Sequence, residues 1–409
     1  MAETRKRNLE IKSSLGFLTL LDRFADALPH LLPCQDLDYA GQRIASREEI
    51  REAMTDAKTT SFPLEVRLRR LESMLWERVH ALRPKRLDQL RMMAFRLGRG
   101  EEYARGCSIW ESGVLARAMH KMTRLDVCAL YRSLLQNPAW LKALGRGLAL
   151  SRDVSFLQPG PDMDAPLPLE DAAAVAYLKT RLSFGAAAGD IRQVVVDEAQ
   201  DYSPVDYAVL GKLFPRARFT VVGDICQSLE RTADRTLYDE VSRVLSRKNP
   251  VLLELTKSFR CTREILRFSA QWMPQAACDS IDRPGDKPKF LPNDQIENEI
   301  AACQKAGYAS IALIAKTRRD AETWGQLLGN KYPIMGKNAS LGSVFLAPLP
   351  LTKGLEFDAA LILDCDVAHY GRKEDKRLLY VACTRALHRL ALFAGENPIP
   401  LIQQEDQHA

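Results

Sequence analysis

What the 409 residues lack narrows their function before any motif is read. No uninterrupted apolar run approaches the roughly 20 residues that a bilayer-spanning helix needs, so no membrane span is expected. The opening stretch MAETRKRNLEIKSS is charged with no apolar segment behind it, which argues against an export signal. Nine cysteines are present, none spaced C-x-x-C, and the six histidines (His30, His80, His120, His369, His388, His408) are scattered, which argues against structural zinc. Cysteines in apolar settings such as LDVCAL and YVACTRA read as small core residues of a reducing compartment, so a cytoplasmic location is expected. Nowhere does G-x-x-x-x-G-K-S/T occur; MGKNAS, around Gly336 and Lys337, lacks both the upstream glycine and a hydroxyl directly after the lysine. A loop that wraps backbone N–H groups around nucleotide phosphates is therefore missing from the sequence.

What is present has an ordinary globular composition, 46% apolar and 27% charged, and is long enough for about two to three domains. A net charge of +6 mildly favours acidic partners, although solubility alone accounts for such a surplus. From about Leu9 to about residue 185, apolar residues recur at three- and four-residue steps (Leu64, Leu68, Leu71, Leu75, Val79, Leu82), which predicts an all-helical half. Arginine is dense from Arg67 to Gly100, forming either a phosphate-facing stripe or the solvated side of amphipathic helices. The segment LQPGPDMDAPLPLEDAAA predicts a connecting loop that leads into a helix over Leu169 to Leu182. Beyond it QVVVD, FTVVGD, VLLEL, SIALIAK, AALILD and RLALF alternate with helical stretches, the pattern of a parallel sheet covered on both faces.

Chemistry concentrates where those runs end. A strand from Ile191 to Val196 places Asp197 and Glu198 at its carboxyl end, where open α/β sheets collect ligands. Two adjacent carboxylates there have two readings. In a nucleotide-hydrolysing site the first holds Mg²⁺ through its water shell and the second orients or deprotonates the attacking water; otherwise they are an acidic turn capping the next helix. FTVVGDICQS ends a second strand in Gly223, Asp224 and Gln227, whose neutral amide suits sensing a γ-phosphate or an in-line water. LELTKSFRCT sets Phe259, a face for a base, beside Arg260, a cation for phosphate. LTKGLEFDAALILD puts Gly354 and Glu356 in a turn before a strand. DKRLLYVACTRALHRLALF puts Arg385 just after an apolar helical stretch, a suitable place for an arginine finger. Each fragment alone is weak, and it is their order along one chain that specifies a site.

In that order the fragments resemble the motifs of the UvrD-like superfamily 1 helicases, and more closely the HelD-type branch, motors that bind bacterial RNA polymerase and help recycle stalled enzyme. IRQVVVDEAQDYSPVDYAVLGKLFPRARFTVVGDICQS and LTKSFRCTREIL are similar to motifs II, III and IV, while LTKGLEFDAALILD and RLLYVACTRA are similar to motifs V and VI. The specific part spans about residues 170 to 395, and KSSLGFLTLLDRFADAL is similar to the inserted helical domain 1B. The resemblance implies an α/β fold of RecA-like P-loop NTPase lobes, with parallel sheets in three α/β/α layers, plus an all-α inserted domain. Residues 1–185 would form domain 1B, 186–255 the remainder of lobe 1A, and 256–400 lobe 2A. It also implies ATP and Mg²⁺ as cofactors. Asp197 would serve the metal, Glu198 the water, and Gln227 the γ-phosphate. Phe259 would stack near adenine, Arg260 and Arg385 would grip the phosphates, and Gly354 and Glu356 would meet the nucleotide, Glu356 at the ribose.

Departures from the family shape the expected function. The phosphate-cradling loop, with its lysine and Mg²⁺-ligating hydroxyl, precedes domain 1B in that family. The chain is therefore expected to be the back two thirds of a motor, weak in binding ATP alone, and completed by a separate N-terminal half that carries Walker A. A lost strand beside FTVVGD would leave an edge that another chain fills. QSLERTADRT offers Glu230 and Arg231 where DNA-unwinding members carry base-stacking aromatics. Only about ninety residues separate Arg260 from Thr352, too few for a large 2B insertion. The expected function is the C-terminal portion of an ATP-dependent motor acting on DNA or RNA polymerase. A DNA-unwinding UvrD-like fragment and a catalytically inactive module that binds nucleic acid or RNA polymerase are the alternatives.

Overall fold

The computed structural model describes residues 2–56, 61–148, 157, 167–183, 188–227, 236–273, 279–280, 283–336, 342–395 and 397–399. Most of the predicted connecting loop, Glu230 and Arg231, Lys337 of MGKNAS, and the tail LIQQEDQHA lie outside these residues. The chain divides into two compact units: unit 1 is Met1–Val195, Tyr202–Thr220 and Asp239–Lys248, and unit 2 is Val196–Asp201, Val221–Tyr238 and Asn249–Ala409.

Unit 1 is mainly helical. Its elements are α1 (Ala2–Lys12), α2 (Leu15–Leu31), β1 (Leu37–Tyr39), β2 (Gln42–Ala45), α3 (Arg47–Thr55), α4 (Leu64–Arg96), α5 (Glu101–Thr123), α6 (Val127–Gln136), α7 (Pro138–Gly145) and α8 (Leu169–Leu182). Most of β3 (Gln193–Val196), β4 (Arg218–Val221) and α10 (Thr236–Leu245) follow, with α9 (Pro204–Leu213) between the two strands. Side-chain caps start several helices: Ser14 accepts from Phe17 N–H, and Ser46 with Glu49 forms a reciprocal box that opens α3. The predicted stripe Leu64, Leu68, Leu71, Leu75 and Val79 is buried on α4, in one core with Phe17, Leu20, Leu21 and Phe24 of α2. Beneath it, Lys12 Nζ and Tyr131 Oη both donate to Asp171 Oδ1 at 2.5 Å, tying α1, α6 and α8 together. The half is not all helix, because β1 and β2 form an antiparallel hairpin. Its two-residue turn, Ala40 (φ 55°) and Gly41 (φ 76°), takes the left-handed conformation that matches strand twist, while Leu37 and Tyr39 point inward.

Unit 2 is built on a sheet. It contains β5 (Lys257–Ser258), α11 (Arg263–Ala270), β6 (Asp279–Ser280), β7 (Lys289–Pro292), α12 (Ile296–Lys305), β8 (Ile311–Ala315), α13 (Arg318–Leu327), β9 (Val344–Pro348), β10 (Phe357–Ile362), α14 (Val367–Tyr370), α15 (Asp375–Cys383) and β11 (Ala386–Ala394). Five strands lie in the order β7-β11-β10-β8-β9, all parallel. IALIA of β8 is buried at every residue, as a strand covered on both faces must be. Alternate residues sort to the two faces. Ile314, Ile362 and Leu392 pack with Ile265 of α11 and Leu379 of α15, while Leu313, Leu361 and Phe393 pack with Ile300 of α12 and Trp324 of α13. One predicted strand does not form: residues 251–255, VLLEL, take no strand pairing, and Val251, Leu252, Leu253 and Leu255 are 65–88% exposed. An apolar run becomes a strand only when neighbours hydrogen-bond its edges and cover its faces, and no described strand does so here.

Candidate functional site

The groups at the carboxyl end of β3 are set by an unusual backbone. After Val196 the chain turns at Glu198, whose φ of 51° is left-handed and uncommon for a residue with a side chain. Asp197 Oδ1 accepts the Glu198 N–H at 2.8 Å, and the chain then enters a 3-10 turn, Ala199–Asp201. Gln200, 1% exposed, reaches from that turn in two directions, donating Nε2 to Glu198 Oε2 at 2.5 Å and accepting Asp224 N–H at 3.1 Å. The latter contact requires Gly223, where a Cβ would fall 2.5 Å from Gln200 Oε1. Asp224 Oδ2 in turn accepts Gln227 Nε2 at 2.8 Å.

Arg385 completes the chain of contacts. Strands β10 and β11 are neighbours in register, Phe357 opposite Ala386, so the residues just before each strand share one end of the sheet. Arg385 donates Nε to Val381 O (3.1 Å), Nη1 to Leu355 O (3.2 Å) and Nη2 to Gln227 Oε1 (2.5 Å), and it is fully buried. A hydrogen-bonded relay thus runs Arg385, Gln227, Asp224, Gln200, Glu198. Burial pushes the Arg385 guanidinium down to about 10; Arg260 acts in the same direction, and Glu198, Glu356 and Asp224 oppose it.

Around the relay, Arg260 Nε pairs with Glu356 Oε1 at 2.5 Å, both half-exposed. Gly354 (φ 72°) brings its backbone close enough to Glu198 that a Cβ there would lie 3.6 Å from Oε1. Lys353 pairs with Asp201 at 2.5 Å. The structure therefore gathers Glu198, Gln227, Arg260, Gly354, Glu356 and Arg385. Phe259 stands 69% exposed beside Arg260, and Asp197 is exposed at the edge of the group. Asp197 joins no cluster of three metal-ligating side chains among the described residues; the one such cluster, Asp364, Asp366 and His369, follows the far end of β10. Sequence reasoning passed over Gln200, Lys353 and Asp201, and gave Asp224 no role. The signal for Gln200 is its spacing, two residues after Glu198 in a tight turn.

Fold and site together define a mixed α/β protein whose charged and amide groups converge at one end of a parallel sheet. More particularly, residues 351–393, which contain Gly354, Glu356 and Arg385, match the UvrD-like helicase C-terminal domain, so this part of unit 2 is like the C-terminal domain of a UvrD-type helicase. A solved structure described as the C-terminal domain of a possible DNA helicase from Lactobacillus plantarum WCFS1 is similar at 27% identity over 37% of this chain and 95% of that one, with a TM-score of 0.32. No curated protein matches the chain.

Proposed function

We propose that the chain is the C-terminal portion of a cytoplasmic superfamily 1 helicase-like motor with RecA-like lobes, coupling Mg-ATP hydrolysis to movement on DNA or RNA polymerase. The observation that carries this reading is the relay from Arg385 through Gln227, Asp224 and Gln200 to Glu198. It wires a phosphate-neutralising cation to a water-orienting carboxylate, the two groups that phosphoryl transfer to water most needs. A nucleotide reaching Arg260 and Arg385 would compete with Glu356 and Gln227 for them, so binding would rearrange the relay. The exposed ring of Phe259 suits adenine, and Glu356 suits the ribose. Asp197 fits Mg²⁺ in the manner this ion accepts, as a single carboxylate among waters and substrate phosphates. The phosphate cradle would come from a separate Walker-A-bearing segment. The narrower HelD-type assignment is supported by the short span between Arg260 and Thr352; the comparisons do not separate the branches.

Titration with a fluorescent ATP analogue and Mg²⁺ tests the site. Weak binding is expected for the chain alone, lowered about tenfold or more by Arg260→Ala or Arg385→Ala, since hydrogen bonds to charged groups contribute about 1.5–3 kcal/mol. A stable assembly with a Walker-A-bearing partner should hydrolyse ATP and lose that activity in Glu198→Gln. Such an assembly without ATPase would sink the motor reading, and tight Arg385-dependent binding by the chain alone would remove the need for a partner.

A further inference from the structure

We propose that one flank of α5, within unit 1, is a docking track for single-stranded nucleic acid. Tyr103, Trp110, Val114, Arg117 and Lys121 follow at steps of 7, 4, 3 and 4, which sets them along one side of the helix, and Arg124 caps its end. The buried seam of α5, Ala104, Ser108, Leu115 and Met119, lies on a different side. The flank has two chemical halves. Toward the start of α5, Trp110 is 68% exposed, and Tyr103, 47% exposed, carries the Arg99 guanidinium 5.8 Å from its ring centroid, so aromatic faces and a further cation stand together there. Toward its end, Arg117, Lys121 and Arg124 are exposed, and none makes an ion pair or side-chain hydrogen bond among the described residues.

The surroundings leave that positive charge in excess. Arg117, Lys121, Arg124 and Lys179 line a groove of about 760 Å³. Among the nearby acids, Glu72 is held by His120 and Thr123 and Glu65 by Arg69, while Asp126, which accepts Ala129 N–H, is the one carboxylate lining this groove against the four cations. A row of free cations continuing into exposed aromatic faces is the arrangement that holds a sugar-phosphate backbone while bases stack. From Tyr103 to Lys121 the flank is about 27 Å long at 1.5 Å per residue, room for several nucleotides. A second copy fits poorly, because a self-matched contact would set these cations against one another. Duplex fits poorly too, because its bases are stacked within and offer no faces to Tyr103 and Trp110. The track gives the proposed motor a nucleic-acid contact of its own. It rests on unit 1 alone, so it can fail while the nucleotide site stands.

Fluorescence anisotropy with labelled oligo(dT) of about twenty nucleotides tests it on the full chain. Binding that falls with salt is expected. The double variant Tyr103→Ala, Trp110→Ala should weaken it roughly tenfold or more. Arg117→Ala, Lys121→Ala, Arg124→Ala should lower the slope of log K against log salt by about 2. Both variants should keep the wild-type circular dichroism and ATP-analogue binding, since the altered side chains are exposed and outside the nucleotide site. The proposal is overturned if the wild type does not bind oligo(dT), or if the aromatic variant binds as the wild type does. It is equally overturned if Trp110→Ala abolishes self-association while leaving oligonucleotide affinity unchanged, which would place a second copy on this face.

Discussion

Arg385 carries its charge where water cannot reach it, and that has a cost in folding. Its folded pKa, near 10, is below the ordinary 12.5, so the unfolded chain holds the proton more tightly and the charge opposes folding at neutral pH. At about 1.4 kcal/mol per pH unit the penalty is on the order of 3 kcal/mol, easing as pH rises from the folded value toward the unfolded one. Three hydrogen bonds offset part of it. We expect Arg385→Met, which keeps bulk and removes charge, to leave the melting temperature unchanged or raise it by an amount worth about 1–3 kcal/mol, while ATP-analogue binding falls. A clear drop in melting temperature by calorimetry would mean that the hydrogen bonds outweigh desolvation. Glu198, Gln227, Arg260, Glu356 and Arg385 are legible in sequence through the order of their fragments along the chain, not through burial: Gln227 and Arg385 are buried, whereas Arg260 and Glu356 are half-exposed. Gln200 is not, because its value lies in reaching Asp224, twenty-four residues away, through a gap that Gly223 leaves open.

The elements follow the apolar patterns wherever the pattern is long or bounded. The helix expected over Leu169 to Leu182 is found with those limits, and IALIA is a fully buried strand. Failures come from partners that sequence cannot supply: VLLEL has the composition of a strand and no pairing neighbour among the described residues, while β1 and β2 are too short for periodicity to reveal. The Lys12–Asp171 pair, 159 residues apart, is invisible for the same reason. It is buried at 4% and 1% side-chain exposure, and burial with the Asp171 charge raises the Tyr131 pKa well above its usual value. Removing one partner strands the other charge in the core, so Asp171→Ala should destabilise unit 1 by about 3–5 kcal/mol. The triple variant Lys12→Met, Asp171→Leu, Tyr131→Phe should recover most of that in urea unfolding monitored by helix signal, because apolar replacement of a buried pair is often neutral or better. A triple variant no more stable than Asp171→Ala would show that the pair holds α1, α6 and α8 through geometry that apolar packing cannot replace.

Net charge is a property of the whole chain, and +6 with an isoelectric point near 8.8 would draw any cationic protein weakly to polyanions. The distribution separates that general pull from a built track. Arg43 faces Asp36 and Asp38, Arg91 faces Asp88 and Glu101, and Arg105 faces Glu101, all at 3.1 Å or less, so their fields are largely cancelled close to the surface. Arg117, Lys121 and Arg124 have no such partners among the described residues. Reversing a cation to glutamate changes the charge by two, so three reversals bring +6 to 0 in either set. If bulk charge governs polyanion binding, the two triple variants must elute from heparin at the same salt. We expect them to differ: Arg117→Glu, Lys121→Glu, Arg124→Glu should elute at markedly lower salt than Arg43→Glu, Arg91→Glu, Arg105→Glu. Each uncancelled cation that contacts the polymer releases counterions, whereas a neutralised one contributes little to that release. Equal elution would assign the attraction to the chain's overall charge and leave the α5 flank without a special role.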